Sequence, residues 1–143
     1  MFMGEYRHSL DSKNRVIIPA RFRDELGDTF VITVGFDKCL TVYTSEQWAA
    51  LTAKLNSMPF TDPEARMVRR RIMANAGEMT LDSQGRINLT NTLKKITGIT
   101  SKCAVIGAGD HVEIWSEDLW DAYNNAADDA FETAAASLTE FLR

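Results

Sequence analysis

A five-residue stretch occurs twice in this chain, and that duplication constrains the fold more than any other feature. The first copy is Asp11-Ser12-Lys13-Asn14-Arg15, running into Val16-Ile17-Ile18. The second is Asp82-Ser83-Gln84-Gly85-Arg86, running into Ile87-Asn88-Leu89. Matches at an offset of 71 residues can arise by chance, so the flanks decide. Leu10 and Leu81 precede the two aspartates, Phe22 matches Leu93, and Gly27 matches Gly98. Further on the offset becomes 72, as one inserted residue makes it. There Val34-Gly35 matches Ile106-Gly107, Val42-Tyr43 matches Ile114-Trp115, and Trp48 matches Trp120. One unit of roughly 45 residues is used twice.

Each copy reads as a tight turn that delivers an arginine onto a strand. Asp is favoured at the start of such a turn because its carboxylate accepts backbone N–H groups two residues on. Asn14 and Gly85 share a slot, and these residue types tolerate the left-handed backbone region best, so positive φ is expected at both. Arg15 and Arg86 then open the next strands. Pro19 stops the first of these, and Arg21 to Leu26 forms a short helix closed by Gly27.

The remaining elements follow the same plan. Gly4 to Leu10 leads into the first motif as a strand, and Phe30–Val34 and Leu40–Tyr43 are strands around a 35–38 loop. Thr44 with Gln47 makes a capping box for a helix carrying Trp48, Leu51 and Leu55. Asp62 caps and Pro63 starts another helix, with Val68, Ile72 and Ala76 as its apolar stripe. In the second unit, Glu78 to Leu81 leads in and Leu93 to Ile96 is helical. Cys103–Ile106 and Val112–Trp115 are strands around a Gly107–Asp110 loop. Ser116 caps a last helix whose apolar stripe, Trp120, Tyr123, Ala127, Phe131, Ala134, Leu138 and Phe141, is long enough to need a partner.

Composition bounds the function. At 143 residues and 45% hydrophobic, the chain makes one compact domain or two small intertwined halves. No apolar run approaches the ~20 residues of a membrane span, and the N-terminus lacks signal-peptide features, so a cytoplasmic location is expected. Cys39 and Cys103 fall in or beside strands and read as buried free thiols. With His8 and His111 they make no metal-ligand spacing. Net charge is −4, yet residues 1–109 carry 15 Lys/Arg against 11 Asp/Glu. Residues 110–143 carry one Arg against nine Asp/Glu. The acidity is concentrated at the C-terminal end, which leaves room for a nucleic-acid surface on the repeats.

These residues carry a resemblance. The opening Met1-Phe2-Met3-Gly4-Glu5-Tyr6, the run from Asp11 through Arg15 to Pro19-Ala20-Arg21-Phe22-Arg23, Asp82 to Arg86, and Ile114-Trp115 are similar over essentially the full length to the MraZ family. The resemblance implies a bacterial transcriptional regulator that binds direct repeats in double-stranded DNA upstream of the division and cell wall gene cluster, its own gene included. It implies an α+β fold of two tandem SpoVT-AbrB modules forming a pseudo-symmetric small barrel, with flanking helices and a ring-shaped homo-oligomer. The modules are expected at 5–47 and 76–119, joined by connecting helices over 48–75 and followed by a C-terminal helix over 120–143. It ties DNA binding to Asp11, Arg15, Asp82 and Arg86, and a nucleoid location follows. Asn14 departs from the family's usual Gly, with slight strain expected.

The residues by themselves are compatible with this. A guanidinium leaving a tight turn can reach phosphate oxygens or a guanine edge. The aspartate either holds the turn through backbone N–H groups or orients the arginine; the first role is preferred, because an aspartate locked onto its arginine would compete with DNA. An internal salt bridge copied by duplication is the other reading. Lys13 lies in the first turn and can touch phosphate, whereas its counterpart is Gln84. Arg7, His8, Arg21 and Arg23 are possible contacts only. Arg66, Arg69 and Arg70 share a helix face, which suits either a DNA groove, a solvated surface, or a charged subunit interface against the acidic C-terminal helix. No catalytic, cofactor-binding or metal-binding residues are assigned, because no phosphate loop or nucleophile with a matched His occurs. The alternative to DNA binding is an oligomeric protein-interaction hub in which the turns are structural.

Overall fold

The computed structural model describes residues 1–142; Arg143, the last residue of the expected C-terminal helix, lies outside the described residues. In chain order the elements are β1 (Phe2–Ser9), β2 (Arg15–Ile17), α1 (Ala20–Leu26), β3 (Phe30–Val34), β4 (Leu40–Thr44), α2 (Ser45–Ser57) and α3 (Pro63–Ala74). The second half gives β5 (Gly77–Met79), β6 (Arg86–Asn88), α4 (Asn91–Thr97), β7 (Lys102–Gly109), β8 (Val112–Ser116), α5 (Glu117–Ser137) and α6 (Thr139–Leu142). This is an α+β fold. Its strands form two antiparallel sheets, one six-stranded in the order β1-β7-β8-β4-β3-β5 and one two-stranded, β2-β6.

That order interleaves the repeats. Within each unit the matched hairpins are β3–β4 and β7–β8, and the matched leading strands are β1 and β5. Yet β1 pairs with β7, and β5 pairs with β3. Each half therefore lends its first strand to the other half's hairpin. The motif strands also pair across halves, with Val16 opposite Ile87 at the centre of the ribbon. Strand side chains alternate between faces, so Val16 and Ile87 point inward and are buried, while Arg15, Ile17, Arg86 and Asn88 point outward. The ribbon and the large sheet share one core. Val16, Ile18, Ile87 and Leu89 from the ribbon side meet Phe30, Ile32, Val42, Val105 and Ile114 from the sheet, and Phe22, Leu26 and Leu93 fill in from α1 and α4.

Several boundaries differ from the sequence reading, each for a tertiary reason. β1 starts at Phe2, whose buried ring meets Phe22 edge-on at 5.5 Å. β7 runs through the expected loop to Gly109, because β1 pairs along it as far as Phe2–Gly109. Gly107 permits that approach: a Cβ there would lie 2.3 Å from the Met3 backbone nitrogen. The helix α3 ends at Ala74, so Ala76 is not on its stripe; Val68 and Ile72 are half-buried and Ala65 is buried. The C-terminal helix breaks at Leu138 into α5 and α6. The caps stand where expected: Thr44, Asp62 and Ser116 accept the N–H groups of Gln47, Glu64 and Leu119. The reciprocal reach of Gln47 is not made. Both cysteines are buried and free, and burial pushes Cys39 up to about 12 and Cys103 to about 11. No helix among the described residues is long and apolar enough to cross a membrane.

Candidate nucleic-acid interface

The two motif turns have the same construction. Asp11 Oδ1 accepts the backbone N–H groups of Lys13 and Arg15, both at 2.9 Å. Asp82 Oδ1 accepts those of Gln84 and Arg86, again at 2.9 Å. Backbone bonds close each turn: Asp11 N–H to Arg15 O at 3.0 Å and Asn14 N–H to Asp11 O at 3.1 Å, with both equivalents at 3.0 Å in the second copy. The third position after each aspartate takes the left-handed region as expected, φ 58° at Asn14 and 75° at Gly85.

The aspartates do more than hold the turn. Asp11 Oδ2 accepts Arg15 Nε at 2.7 Å, and Asp82 Oδ2 accepts Arg86 Nε at 2.8 Å. The two roles offered as alternatives by the sequence are thus both filled, one by each carboxylate oxygen. Arg15 N–H, the Arg15 side chain and Lys13 N–H, in that order, hold Asp11 below the usual carboxylate value, and Arg86 and Gln84 do the same for Asp82. Engagement at Nε does not consume the guanidinium. The Nη atoms of Arg15 donate to no other protein group among the described residues, and only Nη1 of Arg86 has a further acceptor, Asp11 Oδ2 at 3.4 Å. Each carboxylate therefore fixes its arginine through Nε and leaves both Nη atoms of Arg15, and Nη2 of Arg86, without a protein acceptor among the described residues.

The halves also support each other's turns. Ile18 N–H donates to Gly85 O at 2.9 Å, and Leu89 N–H donates to Asn14 O at 2.8 Å. Lys94 Nζ donates to Asn14 Oδ1 at 2.8 Å. Its counterpart at the 71-residue offset is Arg23, which lies against the other turn. Arg23 Nε donates to Ile18 O at 2.8 Å, and its guanidinium covers Gly85 so closely that a Cβ there would sit 2.2 Å from Cζ. Asn88 Nδ2 donates to Lys13 O at 3.0 Å. Sequence reasoning missed Lys94 and Asn88 and left Arg23 level with a solvated helix face. The repeat offset pairs Arg23 with Lys94, and two cations in one slot was the available signal.

The structure thus brings Asp11, Arg15, Asp82 and Arg86 together on the outer side of one ribbon, with Lys13 exposed at the first turn. Other basic residues lie elsewhere. Arg7 is held by Asp121 first and by Glu5, with Glu117 3.8 Å away, which raises its already high pKa. The α3 arginines do not act as one face: Arg69 turns in to Leu55 O and Arg66 to Phe60 O, while Arg70 and Arg71 stay exposed. No residue among those described forms a metal-binding cluster.

A family model described as "MraZ protein, putative antitoxin-like" matches the chain twice, over residues 1–71 and 72–142. The chain is 45% identical over 141 residues to a protein of Ligilactobacillus salivarius (strain UCC118), covering 99% of both chains, and that protein is named transcriptional regulator MraZ. It is 44% identical over 142 residues to a protein of the same name from Carboxydothermus hydrogenoformans, with 99% of both chains covered. One from Desulforamulus reducens is 45% identical, over 99% of this chain and the whole of that one.

Proposed function

The chain belongs to the MraZ family, and from that premise we propose that it is a sequence-specific DNA-binding transcriptional regulator whose contacts are the two Asp-x-x-x-Arg turns. Its targets are direct repeats upstream of the division and cell wall gene cluster, its own gene included, where it represses. It works in the cytoplasm at the nucleoid, as a homo-oligomer that closes into a ring of modules 5–47 and 76–119. It is not an enzyme.

The observation that carries this reading is the placement of Arg15 and Arg86 on the outer face of one ribbon, diagonal to each other across the Val16–Ile87 pair, each oriented through Nε by its own aspartate. A preset fork loses little entropy on meeting a phosphate or a guanine edge. Lys13 adds a third cation at one turn only, so the two modules contribute unequally. One or two phosphates neutralised per arginine bind weakly, and a ring repeating the pair converts weak contacts into avidity on repeated DNA.

The test is fluorescence anisotropy at two salt concentrations. DNA from upstream of the gene is compared with a scrambled control, for wild type, Arg15→Ala, Arg86→Ala and the double variant, with oligomer mass checked in each. The double variant loses selective binding with its assembly intact, and the slope of log affinity against log salt becomes shallower by about 0.9 for each phosphate that is no longer neutralised. Undiminished binding by the double variant would move the surface to α3. Absence of selective binding by wild type would refute the reading in favour of a protein-interaction hub.

A further inference from the structure

The two repeats agree at the arginines of the β2–β6 ribbon and disagree at the residues beside them. The outer face of the ribbon carries Arg15, Ile17, Arg86 and Asn88. Arg15 stands opposite Asn88 and Ile17 opposite Arg86, on either side of the buried Val16–Ile87 pair. At the 71-residue offset Arg15 matches Arg86, and Ile17 matches Asn88. Laying one half on the other therefore puts arginine on arginine but isoleucine on asparagine. Lys13 and Gln84, in the turns, differ in the same way. The pseudo-twofold of the ribbon is broken right beside the arginines.

The two unlike residues have distinct chemistry to offer. Ile17 is 39% exposed and lies outside the core cluster, so its side chain is free for contact. Asn88 is exposed too, yet its amide is fixed. Nδ2 donates to Lys13 O at 3.0 Å, which settles which end of the amide is nitrogen, and Oδ1 takes no hydrogen bond among the described residues. One N–H of Nδ2 and the lone pairs of Oδ1 remain. That donor and acceptor side by side match N7 and N6 of adenine, while an apolar side chain matches the C5 methyl of thymine. Both features are displayed in the major groove only; in the minor groove these side chains would carry no such information. The major groove, about 12 Å wide, admits a two-stranded ribbon. Residues two apart on a strand are separated by about 6.6 Å, close to two base-pair steps of about 3.4 Å.

We propose that the β2–β6 ribbon enters the major groove and that Asn88 and Ile17 give the DNA element its direction. Asn88 reads an adenine beside the base met by Arg15, and Ile17 meets a thymine methyl beside the base met by Arg86. This rests on the DNA-binding reading above and adds to it the residues that choose the flanking bases. Two identical halves would read a palindrome, because the symmetry of the site mirrors that of the protein. Halves that are equal at the arginine and unequal beside it read an element with two different ends. Such an element works in one orientation only, which suits direct repeats and not inverted ones.

The test changes single atoms of the DNA as well as side chains. In the fragment from upstream of the gene, each thymine in turn becomes deoxyuridine, which lacks the C5 methyl, and each adenine becomes 7-deazaadenine, which lacks N7. Anisotropy then reads the affinity of wild type, Ile17→Ala and Asn88→Ala, with oligomer mass checked in each. Wild type weakens about fourfold at one thymine of the repeat, as expected for one methyl group no longer buried. It weakens about fivefold or more at one adenine. Ile17→Ala is insensitive to the thymine change and keeps its sensitivity to the adenine change, and Asn88→Ala shows the converse. A residue with a structural role alone would weaken binding without cancelling a base substitution. An effect that the matching variant fails to cancel would therefore overturn the proposal, as would a wild type indifferent to every substitution. Inverting one repeat in place weakens binding as much as scrambling it, and an inverted repeat bound like the native one would also overturn it. Any of these results with Arg15→Ala still abolishing selectivity sinks this inference alone, whereas a wild type without selective binding sinks the DNA-binding reading with it.

Discussion

Replacing Gly85 by Ala tests the cross-support of the motif turns, and its cost can be worked from the geometry. Two effects add. Gly85 has φ 75°, where an L-residue pays about 1–2 kcal/mol. The new Cβ would also lie 2.2, 2.5 and 2.6 Å from Cζ, Nε and Nη1 of Arg23. Those atoms end a flexible side chain, so the guanidinium swings out and the clash costs no more than what Arg23 gives up by leaving. That is its hydrogen bond to Ile18 O at 2.8 Å, about 1–2 kcal/mol net once water replaces it. The total is about 2–4 kcal/mol. Gly98 is the control. It has φ 71°, and its nearest neighbour would be Leu119 Cδ1 at 3.9 Å, so Gly98→Ala carries only the backbone cost of about 1–2 kcal/mol. Urea denaturation reads the difference; with m near 2 kcal/mol/M, Gly85→Ala lowers the midpoint by roughly 1–2 M. A cycle with Arg23→Ala isolates the contact. In the Arg23→Ala background, alanine at position 85 costs no more than alanine at position 98 does in wild type. If Gly85→Ala is no worse than Gly98→Ala, or if Arg23→Ala brings no relief, the placement of Arg23 over the turn is wrong.

Two further outcomes follow. His111 bridges Asp110 and Glu113 at 2.8 and 3.0 Å, and Glu113, ahead of Asp110, raises its pKa while His111 lowers that of Glu113. The histidine contribution is full below its unfolded value and fades as pH rises through the raised folded value, whereas the Glu113 contribution is present above its unfolded value and fades in acid. The stability advantage of wild type over His111→Gln in urea is therefore larger at pH 6 than at pH 9, and an advantage that is flat or grows with pH would contradict the network. Separately, residues 1–71 alone lack β6 and β7, the partners of β2 and β1. Dilute 1–71 shows no cooperative unfolding by circular dichroism until residues 72–143 are added; a stably folded monomer of 1–71 would show that the interleaving is dispensable.

Local chemistry was legible in the sequence, and non-local pairing was not. The Asp-started turns, the positive φ at Asn14 and Gly85, and the caps at Thr44, Asp62 and Ser116 depend on side chains within four residues of each other, so spacing reveals them. Which strand lies beside β1 depends on a choice between two near-identical hairpins, β3–β4 and β7–β8, and their hydrophobic patterns match because one is a copy of the other. Alternation fixes a strand's buried face and not its neighbour. The error at residues 107–109 has the same root: Gly107, which looks like part of a loop, is, once β1 is in place, the position where another backbone comes within contact. The break at Leu138 carries no Gly or Pro, and the apolar stripe runs through it unchanged.

The interleaving also accounts for the difference between Asn14 and Gly85 at the same slot of the motif. If each half supported its own turn, Asn14 and Gly85 would be independent, and the Asn would simply be the less comfortable residue for a left-handed backbone. In the exchanged arrangement each turn is covered by a cation from the opposite half, and the two cations differ. Lys94 brings a small ammonium that needs an acceptor, which Asn14 supplies through Oδ1. Arg23 brings a planar guanidinium that already has an acceptor in Ile18 O and needs room above the turn, which only the missing side chain of Gly85 leaves. The pairs Asn14–Lys94 and Gly85–Arg23 are therefore two solutions of one geometry, and their members are not interchangeable singly. Placing Gly at 14 removes the acceptor of Lys94 and relaxes the backbone, whereas placing Asn at 85 expels Arg23. A duplicated chain that exchanged its leading strands thereby became free to vary each turn only together with a residue of the other half.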